Sequence, residues 1–214
     1  MSGEISDTEL AWEPLGSTYD DNAGLILFRK RLDRLRNPRN QKVFERIVLE
    51  SVDWVNVVAL DTAGRSVMVR QYRFGTSSIT LETPGGMVDP GESPLAAAKR
   101  ELLEETGYTG ERWTSLGAVE PNPAIHNNLC HHFLVEDVQR VGADDAKAND
   151  AKADDAKEGD AQVAAGQDLG EGEHIQVVEL TPDEILQAVA SGEIRHVLAL
   201  SALCRVFNLW PARR

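Results

Sequence analysis

Basic charge is scarce in this 214-residue chain: 22 Lys and Arg stand against 35 Asp and Glu, for a net charge of −13 and a pI near 4.8. That balance excludes the basic footprint needed to grip duplex DNA or an anionic membrane. Cysteine is scarcer still. The two present, Cys130 and Cys204, lie in apolar stretches without Cys-x-x-Cys spacing, which predicts two buried thiols in a reducing compartment and no disulfide frame. Long hydrophobic runs are missing: the longest, residues 197–210, is broken by Arg205. The first seven residues are polar and acidic, unlike the basic and then apolar build of an export signal, so the expectation is a cytoplasmic protein with no membrane span. Large apolar side chains vanish altogether from residues 145–162, where an Asp-Ala-Lys unit recurs every five residues. A five-residue period matches neither a helix face nor a strand face, so this stretch reads as a solvated, flexible insert. Residues 142–167 hold seven acids and three lysines, a net of −4, which leaves −9 to the rest of the chain. Most of the acidity therefore has to sit on folded parts.

What is present is enough apolar residue, 42% of the chain, to bury one substantial core. Residues 24–28, 42–49, 54–60 and 66–72 are short, rich in β-branched and aromatic types, and separated by turn signals such as the Asp61 to Gly64 stretch; they predict a sheet. Residues 115–120, 129–135 and 174–180 read as further strands. Ser93 followed by Pro94 is an N-cap with proline at the first helical position, residues 95–106 are good helix formers, and Gly107 supplies the stop. A capping box from Thr181 to Glu184 starts a second helix, and residues 197–209 predict a third. The expected fold class is α/β, with helices packed on a sheet.

The chemistry concentrates between Gly86 and Tyr108. On a helix, Glu101 and Glu105 lie about 40° apart and Glu104 about 60° to the other side of Glu101, so three carboxylates share one face. Each repulsion at that spacing costs a few tenths of a kcal/mol, so a cation is expected to offset them. Arg100 is adjacent, and an oxygen-rich set of this kind suits Mg²⁺ or Mn²⁺. Leu95, Ala98 and Leu102 fall on the opposite side and predict the face that docks on the core. Upstream, the glycine turn from Glu82 to Gly86 lets backbone approach a metal or phosphate closely.

The spacing Gly86-x5-Glu92-x7-Arg100-Glu101-Leu102-x-Glu104-Glu105-x-Gly107-Tyr108 resembles the Nudix hydrolase signature. Residues 69–73, the Glu82–Gly86 turn, the stretch from Asn122 to His126, Pro123 in particular, and the Glu171-Gly172-Glu173 loop are similar to the ADP-ribose and nucleotide-sugar pyrophosphatase branch. The resemblance implies an α/β/α sandwich with a mixed sheet and an N-terminal β-rich segment. Its parts would be N-terminal strands over 1–50 serving dimerisation, a core over 51–141, the insert over 142–167, and the last strand and C-terminal helices over 168–214. It implies water attack on a nucleoside diphosphate sugar, giving a nucleoside monophosphate and a sugar phosphate, with two or three Mg²⁺ (Mn²⁺ as a substitute) neutralising the diphosphate.

Carried over position by position, Glu101, Glu105 and the Gly85 carbonyl would be metal ligands, and Glu104 a further ligand or a partner of metal-bound water. Gly86, Glu92 and Arg100 would support the helix. Glu171 or Glu173 would be the general base, with Asp168 a competitor because the insert enters just upstream. Arg73 would hold the diphosphate, alongside Glu82 and Met87, and Trp12 would stack on the base across a homodimer interface. His126 stands in a loop where it could touch substrate. Cys130, His131 and His132 alternate faces on a strand, which argues against a shared zinc. Two other readings stay open: a Nudix enzyme for oxidised nucleoside triphosphates or dinucleoside polyphosphates, and a non-catalytic nucleotide-binding regulator. No nucleic-acid or membrane partner is expected.

Overall fold

The structure, a computed structural model, describes residues 12–20, 27–142, 167–170 and 174–209. These divide into two compact units, one made of the described residues up to Val52 with Glu120–Asn128, the other of the remainder. In the first unit β1 (Glu13–Asp20), β2 (Arg29–Arg36) and β3 (Val43–Glu50) pair antiparallel in the order β1-β2-β3. β2 reads Arg-Lys-Arg-Leu-Asp-Arg-Leu-Arg, and cross-strand ion pairs make that tolerable: Arg31 bonds Glu50 on β3, and Arg36 lies 2.8 Å from Glu13 on β1. The Asn122–His126 stretch joins this unit, where Leu49 N–H donates to the Ile125 carbonyl at 2.7 Å.

The second unit is built on β4 (Trp54–Asp61), β5 (Ser66–Arg73), β6 (Ser78–Glu82), β7 (Tyr108–Thr109), β8 (Arg112–Val119), β9 (Cys130–Arg140) and β10 (Ile175–Leu180). The sheet runs β10-β5-β4-β9-β7, with β6 on β5 and β8 on β9; β4 and β9 are parallel and the other pairs antiparallel, so the sheet is mixed. Helix α1 (Pro94–Thr106) covers one face; α2 (Pro182–Ser191) and α3 (Val197–Leu203) cover the other. β4 is apolar at consecutive positions because both its faces are covered: Val55, Val57 and Ala59 pack with α1, and Val58 packs with α2 and α3. A strand buried on both faces reads as a continuous apolar run, which is how residues 54–60 stood out.

Several expectations shift. Residues 24–26 of the first expected strand lie outside the described residues, and the strand there starts at Arg29. β1, β2 and β6 lack an apolar run: ion pairs and strand pairing hold β1 and β2, while β6 buries Thr80, Leu81 and Glu82. α3 stops at Leu203 because the chain turns there, and Leu209 returns separately into the core. That turn leaves Cys204 exposed, so only Cys130 is the expected buried thiol. Leu95 is also exposed; it sits in the first turn of α1, and Ala97 takes its place in the core.

Candidate active site

The site begins with a gap in the sheet. β4 pairs with β5 only at Ala59 and Leu60. Beyond that point the chain leaving β6 wedges between them: Val57 N–H donates to the Pro84 carbonyl at 2.8 Å, Val55 N–H to the Gly86 carbonyl at 2.9 Å, and Val88 N–H to the Asp53 carbonyl at 2.8 Å. The wedge is so tight that a Cβ on Gly85 would run into the Val55 carbonyl and Asn56. A Cβ on Gly86 would run into the Glu101 carboxylate. Gly85 is required by close approach of backbone, whereas a side chain at Gly86 would displace the Glu101 carboxylate.

α1 brings its carboxylates to this wedge. Ser93 Oγ accepts from Ala96 N–H at 3.2 Å, Pro94 opens the helix, and Gly107, at φ 70°, returns its N–H to the Leu103 carbonyl at 2.8 Å. Ala97, Ala98 and Leu102 are fully buried against the sheet, while Arg100, Glu101, Glu104 and Glu105 line one cavity. Glu105 is 5% exposed, and one of its oxygens accepts from Gly85 N–H at 2.9 Å. Arg100 gathers the rest. Its Nε and Nη2 donate to Glu92 at 3.2 and 3.0 Å, its Nη1 to Glu101 at 3.0 Å and to Glu104 at 2.9 Å, and its Nη2 to the Met87 carbonyl at 2.9 Å. The Arg100 bonds hold the Glu92 carboxyl below the usual range, and Glu92, then Glu104 and Glu101, push the Arg100 guanidinium further up. Arg100 thus bonds two of the three helix carboxylates, Glu101 and Glu104.

The wall opposite comes from the residues after the insert. Asp168 N–H donates to the Glu104 carbonyl at 3.0 Å, and Gln167 Nε2 donates to the Glu105 carbonyl at 2.5 Å. Arg100, Glu101, Glu104, Glu105, Asp168, Leu169 and Gly170 enclose a cavity of about 350 Å³. A larger cavity of about 450 Å³ lies on the other face of the sheet, lined by Leu81, Val178 and α2 residues, away from the carboxylates. The donor chemistry of the smaller one, four carboxylates along one lining, fits a hard divalent ion. Among the described residues no three acids stand close enough together to close on a metal; Arg100 spans Glu101 and Glu104 instead.

At the start of the wedge, Arg73 forms a fork on Glu82, with Nε to Oε1 at 2.9 Å and Nη2 to Oε2 at 2.7 Å. Glu82 is 1% exposed. Burial alone would raise its carboxyl, but the Arg73 bonds, the nearby His196 ring, the Arg73 charge and the Thr80 hydroxyl outweigh that and hold it well below the usual range. Met87 is 40% exposed and pairs with Trp54 through an isolated bridge.

Trp12 belongs to the first unit, where its ring meets Phe44 edge-on at 5.6 Å and the Arg46 guanidinium at 5.4 Å. His126 is there too, its ring 5.2 Å from that of Phe28. Glu171 and Glu173 lie outside the described residues. On β9, Cys130 and His132 point inward while His131 turns to Asp53 at 2.8 Å, as strand alternation demands. Two residues went unread in the sequence. Gln167 carries no motif, and His196 merely precedes an apolar helix; neither has a local signal for a long-range contact.

Residues 52–200 match the family model described as "NUDIX domain". The chain is 28% identical to an "ADP-ribose pyrophosphatase" of Bacillus subtilis (strain 168) over 155 residues, covering 72% of each chain. It is 31% identical to a "Methanol dehydrogenase activator" of Bacillus methanolicus, again over 72% of each. Among solved structures it is similar to an "ADP compounds hydrolase", with a TM-score of 0.69 and 20% identity over 96% of this chain and 95% of that one. At that identity the match speaks for the fold, a mixed sheet between helices.

Proposed function

Because the chain belongs to the Nudix domain family, we propose that it hydrolyses the diphosphate bond of ADP-ribose or a related nucleoside diphosphate sugar, releasing a nucleoside monophosphate and a sugar phosphate. The observation that carries this reading is the face of α1. Glu101, Glu104 and Glu105 line one cavity, and the only partner in that cavity with a positive charge, among the described residues, is Arg100. Glu101, Glu105 and the Gly85 carbonyl would hold Mg²⁺, or Mn²⁺ in its place, with Glu104 as a further ligand or a partner of bound water. Two or three such ions would neutralise the diphosphate and make a water nucleophilic near neutral pH. The protein's own part is placement. Gly85 N–H orients Glu105, Arg100 aligns Glu101 and Glu104, and Glu92 fixes Arg100.

Arg73 would grip the diphosphate. Glu82, too buried to meet substrate directly, would act by holding Arg73. Met87 is exposed beside the glycine turn and would line the sugar side. Glu171 or Glu173 would take the proton from the attacking water. Asp168, which already lines the cavity, is the competing base. Trp12 would stack on the base within a homodimer formed through the three-stranded sheet, where Tyr19, Val43 and Ile47 are exposed. Free Cys130 and Cys204 suit a reducing, cytoplasmic setting, and no helix among the described residues is long and apolar enough to cross a membrane.

The name of the Bacillus subtilis relative supports the ADP-ribose branch. That of the Bacillus methanolicus relative keeps a regulatory role in view. Incubation with Mg²⁺ and either ADP-ribose or a deoxynucleoside triphosphate separates the readings. AMP and ribose 5-phosphate are expected from the first, pyrophosphate release from the second alone would move the substrate to another class, and binding without turnover of either would favour the regulator.

A further inference from the structure

Glu82 is held by Arg73 and Thr80 and approached by a third side chain. Its Oε1 accepts from Arg73 Nε at 2.9 Å and from the Thr80 hydroxyl, and its Oε2 accepts from Arg73 Nη2 at 2.7 Å. The third side chain comes from far along the chain. His196, the N-cap residue of α3, places Nδ1 2.8 Å from Oε2 of Glu82. That nitrogen is shielded from solvent and makes no hydrogen bond, and Oε2 of Glu82, 2.8 Å away, is within reach of one. The residue before it ties down the same hairpin: Arg195 Nη2 donates to Ser78 Oγ on β6 at 2.8 Å. A carboxylate has about four acceptor sites, and at 1% exposure any site left without a partner is costly. Arg73, by contrast, is 43% exposed. An arginine that open samples many rotamers unless its anchor is rigid.

We infer that His196 is a positioning residue for Arg73: from the start of α3 it locks the buried Glu82 carboxylate, and that carboxylate holds the guanidinium in the pose that binds the diphosphate. This rests on the reading of Arg73 as a diphosphate ligand. A group acting through an anchor changes how well substrate is bound more than how fast bound substrate reacts. His196→Ala is expected to raise KM for ADP-ribose roughly five-fold with kcat within about two-fold, and His196→Asn, whose amide nitrogen stands near the position of Nδ1, to recover most of the loss. In an Arg73→Ala background the His196→Ala effect should disappear, since nothing remains to be positioned.

A second readout needs no turnover. The Arg73 Nε–H resonance in a ¹H–¹⁵N spectrum, assigned by its loss in Arg73→Lys, should be slow to exchange in the wild type and in His196→Asn, and lose protection in His196→Ala. If His196→Ala does not fold, His196→Phe keeps the ring and removes the nitrogen. Unchanged KM and unchanged Nε–H protection would overturn the inference, as would an equal His196→Ala effect with and without Arg73. If the wild type does not hydrolyse ADP-ribose, the functional reading fails, and the Nε–H signal alone decides whether His196 positions Arg73.

Discussion

Glu105 is the most constrained of the helix carboxylates: it is 5% exposed and receives the Gly85 N–H at 2.9 Å. Glu105→Gln can keep an oxygen toward Gly85 while removing the charge. It should therefore leave the circular dichroism spectrum unchanged and lower kcat for ADP-ribose with Mg²⁺ by about two to three orders of magnitude, the scale seen when one electrostatic element of a site is removed; near-normal turnover would sink the metal assignment. His132 has no part in that chemistry and a different consequence. It is fully buried beside Cys130, with Nε2 3.1 Å from Ser201 Oγ. Burial, then the Arg205 and His131 charges, lower its pKa from 6.5 to about 4. Between those values the unfolded chain holds a proton that the folded chain does not, so stability is full above pH 6.5 and falls as pH drops toward 4. The loss is on the order of 3 kcal/mol. Urea titrations at pH 7 and pH 4.5 should show it, and His132→Gln should have a visibly flatter pH dependence than the wild type; parallel curves would contradict the assignment.

α1 shows how one helix meets two demands by dividing its faces. Its apolar side is mostly small: Ala97 and Ala98 let the backbone approach the sheet, and Leu102 is the one large anchor, worth about 2 kcal/mol in burial. Its other side carries the like charges that Arg100 offsets. Since charge repulsion works against the helix, its caps matter. Ser93→Ala removes the bond to Ala96 N–H and should cost about 1 kcal/mol in global unfolding, read as a lowered urea midpoint with an unchanged slope. An unchanged midpoint would mean that core packing alone fixes the first turn. This helix was legible residue by residue, because N-cap, proline, periodicity and terminal glycine agree. β2 was not. Five of its eight residues are basic and only one is acidic, so local partners are too few until pairing with β3 and β1 supplies them for Arg31 and Arg36. β6 was equally hidden, as a five-residue strand whose key side chain, Glu82, is buried and ionised.

At the scale of the molecule, the two flanks of the insert end at the same place. Val141 N–H donates to the Gly107 carbonyl at 2.9 Å, and Asp168 N–H to the Glu104 carbonyl at 3.0 Å. Both anchors lie at the C-terminal end of α1, on its last turn and its capping glycine, so the chain leaves and returns over about 10 Å, a span that six residues can bridge. Replacing residues 145–162 with six Gly and Ser residues should keep the melting temperature within about 2 °C, because closing a loop costs only a few tenths of a kcal/mol more or less as its length changes. Turnover of ADP-ribose should persist. A large loss of turnover with an unchanged melting temperature would assign the insert a part in catalysis, and a large fall in melting temperature would show that it contributes to the fold.

Local order determined much of this protein. Capping signals, the apolar run of β4 and the spacing from Gly86 to Tyr108 settle the helix, the doubly covered strand and the shared carboxylate face, because each depends on neighbours a few residues apart. Tertiary structure decided the rest. Only the wedge between β4 and β5 brings Gly85 to Glu105 and makes Gly86 the floor under Glu101. Only the packing of α3 on the far face of the sheet brings His196 to Glu82. Those contacts join residues separated by fifteen to more than a hundred positions, and no periodicity carries across such distances; burial and close approach make them specific once the sheet and its two helical layers have formed.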